Sequence, residues 1–129
     1  MSDRGKTSPE YLTSEGTQGL PFSEAVRAGD LLFLSGKLGT DASGRVVPGG
    51  IAAETRQTME NIKAALERYG SSFDRVVKAT VMLTDMAEWA EMNSVYVTYF
   101  THHLPARSAM GVNGLARGAR VEIECIAAT

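Results

Sequence analysis

The sequence predicts an α+β domain in which about six strands form one sheet and two helices cover one of its faces. Three observations carry that reading. From Ile51 to Tyr69 the positions Ile51, Thr55, Met59, Ile62, Leu66 and Tyr69 recur every three or four residues, which is the helical period. A second stripe of that spacing runs through Trp89, Met92, Tyr96, Tyr99 and His103. Around them lie β-branched runs, of which VVKATVMLTD (Val76–Asp85) is apolar on both faces, as in a strand covered from both sides.

Taken in order, residues 1–20 are rich in Ser, Thr, Gly and charge and read as a mobile tail or extended arm, with the domain proper at 21–129. FSEAVRAGDLLFLSG then gives two strands around an Ala28-Gly29-Asp30 turn, since Gly-Asp between apolar runs is a hairpin signal. KLGTDASGRVVPGG has loop chemistry, with room for a short strand near Val46; its Asp41 and Ser43 are too few for a calcium loop. The first helix follows and stops at Gly70. After the Val76–Asp85 strand, Asp85 and Glu88 form a capping-box analogue ahead of the second helix, and Pro105 lies beyond its end. His102 and His103 are adjacent, so they diverge around that end; they read as helix-terminal histidines facing the negative dipole rather than a metal pair. Two last strands, near Arg107–Asn113 and Ala119–Ala128, flank a Gly114–Gly118 turn. With both helices on one face, the apolar second face needs a partner, and self-association is the economical answer.

Composition excludes several classes. With 129 residues, 43% hydrophobic and 22% charged, the chain fits one folded domain. A net charge of −2 and a pI near 5.7, without basic runs, leave no electrostatic footprint for nucleic acid or anionic lipid. The polar N-terminus lacks the apolar core of a signal peptide and nothing is long enough to span a bilayer, so the expected compartment is the cytoplasm. The single cysteine, Cys125, makes no internal disulfide and reads as a small buried hydrophobe.

The C-terminal stretch poses the chemical question. In PARSAMGVNGLARGARVEIECIAA, strand alternation puts Val121, Ile123, Cys125 and Ala127 on one face and Glu122, Glu124 and Ile126 on the other. A guanidinium can grip a carboxylate through two parallel hydrogen bonds, so Arg107 is either a ligand clamp or an ion-pair partner within the sheet.

The runs PFSEAV, LLFLSGKLG, ETRQTMENIKAAL, VVKATVMLTDM, MNSVYVTYF, PARSA and ARVEIECIAA occur in the order and spacing of the Rid family, the YjgF-like reactive intermediate deaminases. The chain resembles that family over roughly residues 20–128, most specifically in Pro-Ala-Arg-Ser followed by Val-Glu-Ile-Glu, whose first glutamate, Glu122, lies fifteen positions after the arginine. The resemblance implies a chorismate-mutase-like fold and a homotrimer with clefts between subunits. It implies hydrolysis of 2-imino or 2-enamino acids to 2-keto acids and ammonia, with no metal or organic cofactor. Arg107 matches the carboxylate-binding arginine, and Glu122 the carboxyl group that orients water and relays protons, whereas Glu124 matches no active-site position.

Ser35 and Gly36 match a strand end beside the cleft, Asn93 a polar position on the second helix, and Ala109 a position thought to contribute its backbone carbonyl. Phe22 stands where many members have tyrosine, Ala109 where many have cysteine, and Lys37 where glutamine is frequent. Phe22 therefore removes a hydroxyl from the expected site, and Lys37 adds a positive charge near it. Two further readings remain open: a non-catalytic carboxylate-binding or regulatory trimer, and a ribonuclease, which the acidic pI opposes.

Overall fold

A computed structural model describes residues 8–129. Seven strands and two helices follow in the order β1 (Glu10–Leu12), β2 (Ala25–Ala28), β3 (Leu31–Leu34), β4 (Lys37–Leu38), α1 (Ile51–Arg68), β5 (Val76–Leu83), α2 (Trp89–Tyr96), β6 (Ala106–Gly111) and β7 (Val121–Ala128). The strands form one mixed sheet in the order β1-β2-β3-β7-β5-β6, with β4 also paired to β7. The fold is α+β, as the periodicities imply. Among the described residues no helix is long and apolar enough to cross a membrane.

The local reasons are legible. β2 and β3 pair antiparallel with Ala28 opposite Leu31, and Gly29, at φ 58°, takes the left-handed conformation that this tight turn needs. α1 ends where expected: Ser71 N donates to Leu66 O at 2.8 Å and Gly70, at φ 84°, turns the chain away, which is the Schellman arrangement. Its buried stripe of Met59, Ile62 and Leu66 shares one core with Val81 of β5, Ile123 and Cys125 of β7, and Met92 and Tyr96 of α2. The buried Glu54 of α1 accepts from the backbone N–H groups of Arg120 and Val121, fixing the start of β7.

Four details depart from the sequence reading. The segment read as a tail or arm contributes β1, paired with β2 through Tyr11 and Val26; residues 1–7 lie outside the described residues. The second helix is shorter than its stripe: α2 tightens into a 3-10 turn at Val97–Tyr99, and the chain turns at Phe100, whose ring packs 5.0 Å from Tyr96 and 5.3 Å from Phe73. His102 and His103 therefore lie outside any helix. They contact Asp74 instead, through its carboxylate at 3.0 Å and its backbone oxygen at 2.6 Å. The capping box is half made, for Asp85 accepts from Ala87 N while Glu88 pairs with Arg120.

The last two strands are not neighbours. β6 runs parallel to β5, joined by the crossover through α2, and β7 lies antiparallel on the other side of β5. β6 is thus an edge strand. A bridge between Thr40 and Val46 stands where a short strand was expected, and β4 raises the count to seven.

On the face away from the helices Leu31, Phe33 and Met110 are 38%, 39% and 44% exposed, and Ile126 sits opposite Phe33. No element among the described residues covers this face, on which these apolar side chains lie beside Thr80, Glu122 and Glu124.

Candidate functional site

Arg107 is placed by β6. Its register partner is Ala79 of β5, which in turn faces Cys125 of β7, so its side chain lies on the helix side of the sheet. There α2 presents Trp89, Asn93 and Tyr96 at positions i, i+4 and i+7, one helical face. Arg107 Nη1 donates to Asn93 Oδ1 at 2.6 Å, and the guanidinium carbon sits 5.1 Å from the Trp89 ring centre and 4.9 Å from that of Tyr96. The guanidinium is half-buried, yet among the described residues no carboxylate pairs with it. It borders a cavity of about 220 Å³ lined with Asn93, Tyr96, Val97, Leu104 and Pro105. Burial pushes the Tyr96 phenol up to about 12, with the Arg107 charge opposing, so the phenol is neutral at physiological pH.

Ala109 lies on the same side of β6 as Arg107. Val112 N donates to Leu83 O, and backbone groups alternate along a strand, so the N–H and C=O of Arg107 and Ala109 point to the open edge of the sheet. Alanine therefore keeps the expected carbonyl available.

Glu122 occupies the opposite face. Along β7 it faces away from the buried Val121 and Ile123, with Met82 of β5 and Leu38 of β4 as register partners. It is half-buried without a hydrogen-bond donor among the described residues. Burial, and then the charge of Glu124, raise its pKa.

Ser35 and Gly36 form the wall beside it. Phe33 pairs with Ile126 and Lys37 with Ile123, four residues forward against three back, so the chain bulges by one residue between β3 and β4. Ser35 Oγ donates to Ser23 O at 2.7 Å, and a Cβ at Gly36 would collide with the Glu122 carboxylate. Phe22, half-exposed, shares with Gly36 a groove of about 650 Å³.

Lys37 also lines that groove, but its charge is committed. Its Nζ lies 2.6 Å from Glu24, which also accepts from Arg68 at 2.8 Å and Tyr69 at 2.7 Å. Burial alone would raise the Glu24 pKa, but the Lys37 and Tyr69 hydrogen bonds overcome it and hold the carboxyl at about 2. The expected extra cation beside the site is therefore neutralised within the fold.

The expected residues thus fall into two groups. Arg107, Asn93 and Ala109 lie together at the β6 edge on the helix side; Glu122 lies against Gly36 on the other face, with Ser35 next to Gly36 in the chain, while Phe22 lines a groove shared with Lys37 and with Asn61 and Arg68 of α1. One chain does not bring Arg107 and Glu122 into one pocket. The aromatic stripe of α2 is core, as its spacing implies, with Tyr96 buried and Trp89 packed against the cluster; what the spacing did not show is the approach of both rings to Arg107. The signal was their shared face with Asn93. Cys125 is buried, and burial pushes its thiol up to about 12, as suits an inert packing residue.

A family model described as Endoribonuclease L-PSP matches residues 16–129. A mouse (Mus musculus) protein named 2-iminobutanoate/2-iminopropanoate deaminase is 45% identical over 108 residues, spanning 83% of this chain and 80% of that protein. Its cattle (Bos taurus) namesake is 47% identical over the same share of this chain and 79% of its own. Among solved structures, the yeast protein YEO7 superposes with a TM-score of 0.88 at 39% identity over 94% of this chain and 98% of its own. YyfA from Yersinia pestis, described as a protein of unknown function of the conserved Rid family, gives 0.89 at 32% identity over 95% of this chain and 100% of its own.

Proposed function

Because the chain belongs to the Rid family, we propose that it hydrolyses reactive 2-imino and 2-enamino acids to 2-keto acids and ammonia, in clefts between the subunits of a homotrimer. The observation that carries this reading is the half-buried Arg107 guanidinium, which borders a small cavity with no carboxylate partner among the described residues. An uncompensated cation of that kind is matched by a ligand carboxylate, and a planar fork fixes such a ligand in orientation as well as position.

The reaction needs little more than water and a place for one proton. With the substrate carboxylate on Arg107, water adds to C2, and a carboxylate at Glu122 accepts the proton that the water loses. Addition to the N-protonated imine gives a neutral carbinolamine; returned to its nitrogen, that proton makes ammonia the leaving group, and as the C–N bond breaks the hydroxyl proton passes to the freed Glu122 carboxylate and C2 becomes a carbonyl. One water is consumed and no redox change occurs. Glu122, with its raised pKa, suits both halves of the relay.

The placement of the two groups supports the assembly. Glu122 lies on the uncovered face, among Leu31, Phe33, Met110 and Ile126, so association through that face would carry it toward a neighbouring chain, while Arg107 lies at the sheet edge. A non-catalytic carboxylate-binding trimer is the second reading, favoured by Phe22, which supplies no hydroxyl to the substrate or water.

Substitution of Arg107 separates the possibilities. Lysine keeps the charge but loses the fork. Losing one charged hydrogen bond, at about 1.5–3 kcal/mol, corresponds to roughly tenfold to hundredfold in rate. Arg107→Lys should therefore lose at least that much ammonia release from freshly generated 2-iminobutyrate, and Arg107→Ala should be nearly inactive, both as folded trimers. Near wild-type hydrolysis by a folded Arg107→Ala trimer would remove the mechanism. A wild-type protein that binds keto acids without turnover would establish the second reading.

A further inference from the structure

The environment of Arg107 holds a cation without using an anion. Its contacts are the faces of Trp89 and Tyr96, at 5.1 and 4.9 Å, and one neutral amide oxygen, Asn93 Oδ1, at 2.6 Å. Aromatic faces attract a guanidinium through their negative quadrupole and fix its plane, but they leave most of its in-plane N–H donors free. A carboxylate in their place would hold the charge equally well and occupy the donors that a ligand needs. Tyr96 is itself rigid, 5% exposed and packed against Phe100, so its face is a fixed reference for the plane.

We infer that Trp89 and Tyr96 are positioning residues, which hold the Arg107 guanidinium in one plane so that its unoccupied edge receives the substrate carboxylate. This inference rests on the proposed role of Arg107 and adds to it. The arginine is ordered before the ligand arrives, and the orienting device is aromatic rather than ionic. Substrates are then selected for a planar carboxylate presented edge-on to the fork, and neutral amides or esters of the same imines are rejected.

Trp89 is the residue to change, because it is only half-buried at the start of α2 and the fold depends on it less than on Tyr96. Trp89→Leu keeps apolar bulk but removes the π face; Trp89→Phe restores a face. The first measurement is the Nε–H resonance of Arg107 in the ligand-free protein labelled with nitrogen-15 arginine, assigned by its loss in Arg107→Lys. It should be displaced by ring currents in the wild type, move toward the free-arginine position in Trp89→Leu, and return most of the way in Trp89→Phe.

The second measurement is affinity for 2-oxobutyrate, together with KM and kcat for imine hydrolysis. Trp89→Leu should weaken binding and raise KM by roughly threefold to thirtyfold, the range of a cation–π contact. The change in kcat should be smaller, and Trp89→Phe should recover most of the loss. A purely structural role would instead lower thermal stability and leave KM and the arginine resonance where they were. If the wild type binds keto acid and hydrolyses imines while Trp89→Leu matches it in KM, this inference alone is overturned. If the wild type neither binds keto acid nor hydrolyses imine, the deaminase reading falls and this inference falls with it.

Discussion

Glu122 is an acid that its surroundings discourage from ionising. Burial and the neighbouring Glu124 charge both raise its pKa, and no donor among the described residues offsets them. As the proposed proton acceptor it must be ionised in the resting enzyme. Turnover should therefore fall on the acid side at a pH above the ordinary carboxylate range, and Glu124→Gln, by removing a like charge, should move that limb to lower pH. A pH–rate profile of the two proteins decides this, and coincident limbs would mean that the titrating group is elsewhere. Glu122→Gln should cost roughly a hundredfold or more in rate. Linkage gives the sign of its effect on stability: a group whose folded-state pKa is raised stabilises the fold when protonated and loses that contribution as pH rises through the folded-state value. At neutral pH, then, Glu122→Gln should leave thermal stability unchanged or raised. An activity loss accompanied by a stability gain is hard to mistake for misfolding.

At the scale of elements, the bulge between β3 and β4 brings Gly36 against Glu122, and two nearby glycines make a matched pair of tests. A methyl group at Gly36 would meet the carboxylate end of Glu122, which can swing aside, whereas one at Gly39 would meet the backbone carbonyl of Glu54, which cannot. Gly36→Ala should reduce turnover with little change in melting temperature. Gly39→Ala should lose stability by about 1–3 kcal/mol, the usual cost of overpacking. Activity assays beside thermal denaturation separate the two, and a Gly36→Ala protein of normal activity would mean that Glu122 need not stay where it is. The bulge also shows what the sequence could not reveal. α1 and the two faces of β7 follow from periodicity within one segment, so they were legible, and with them the outward placement of Glu122. The bulge exists only relative to β7, and the separation of β6 from β7 by β5 depends on long-range pairing that no local pattern encodes. α2 was overextended because His103 continues a spacing after the backbone has left the helix, where packing of Phe100 on Phe73 overrides the period. Tyr96 is core and Trp89 packs against it, as the apolar stripe implies; their additional contact with Arg107 depends on which strand lies beneath α2.

For the whole molecule, the decisive feature is that Arg107 and Glu122 face opposite sides of one sheet. If each cleft takes its arginine from one subunit and its glutamate from another, two inactive variants should repair each other. Arg107→Ala and Glu122→Gln subunits, mixed equally and allowed to reassemble, should recover about a quarter of wild-type activity by random pairing in a closed ring. A site contained within one chain would recover none. If the cleft is shared in this way, a newly synthesised chain would be inert until it found its neighbours. Such a protein would be switched on by its own abundance, with no modification or effector needed, and cells making little of it would hold folded but idle subunits.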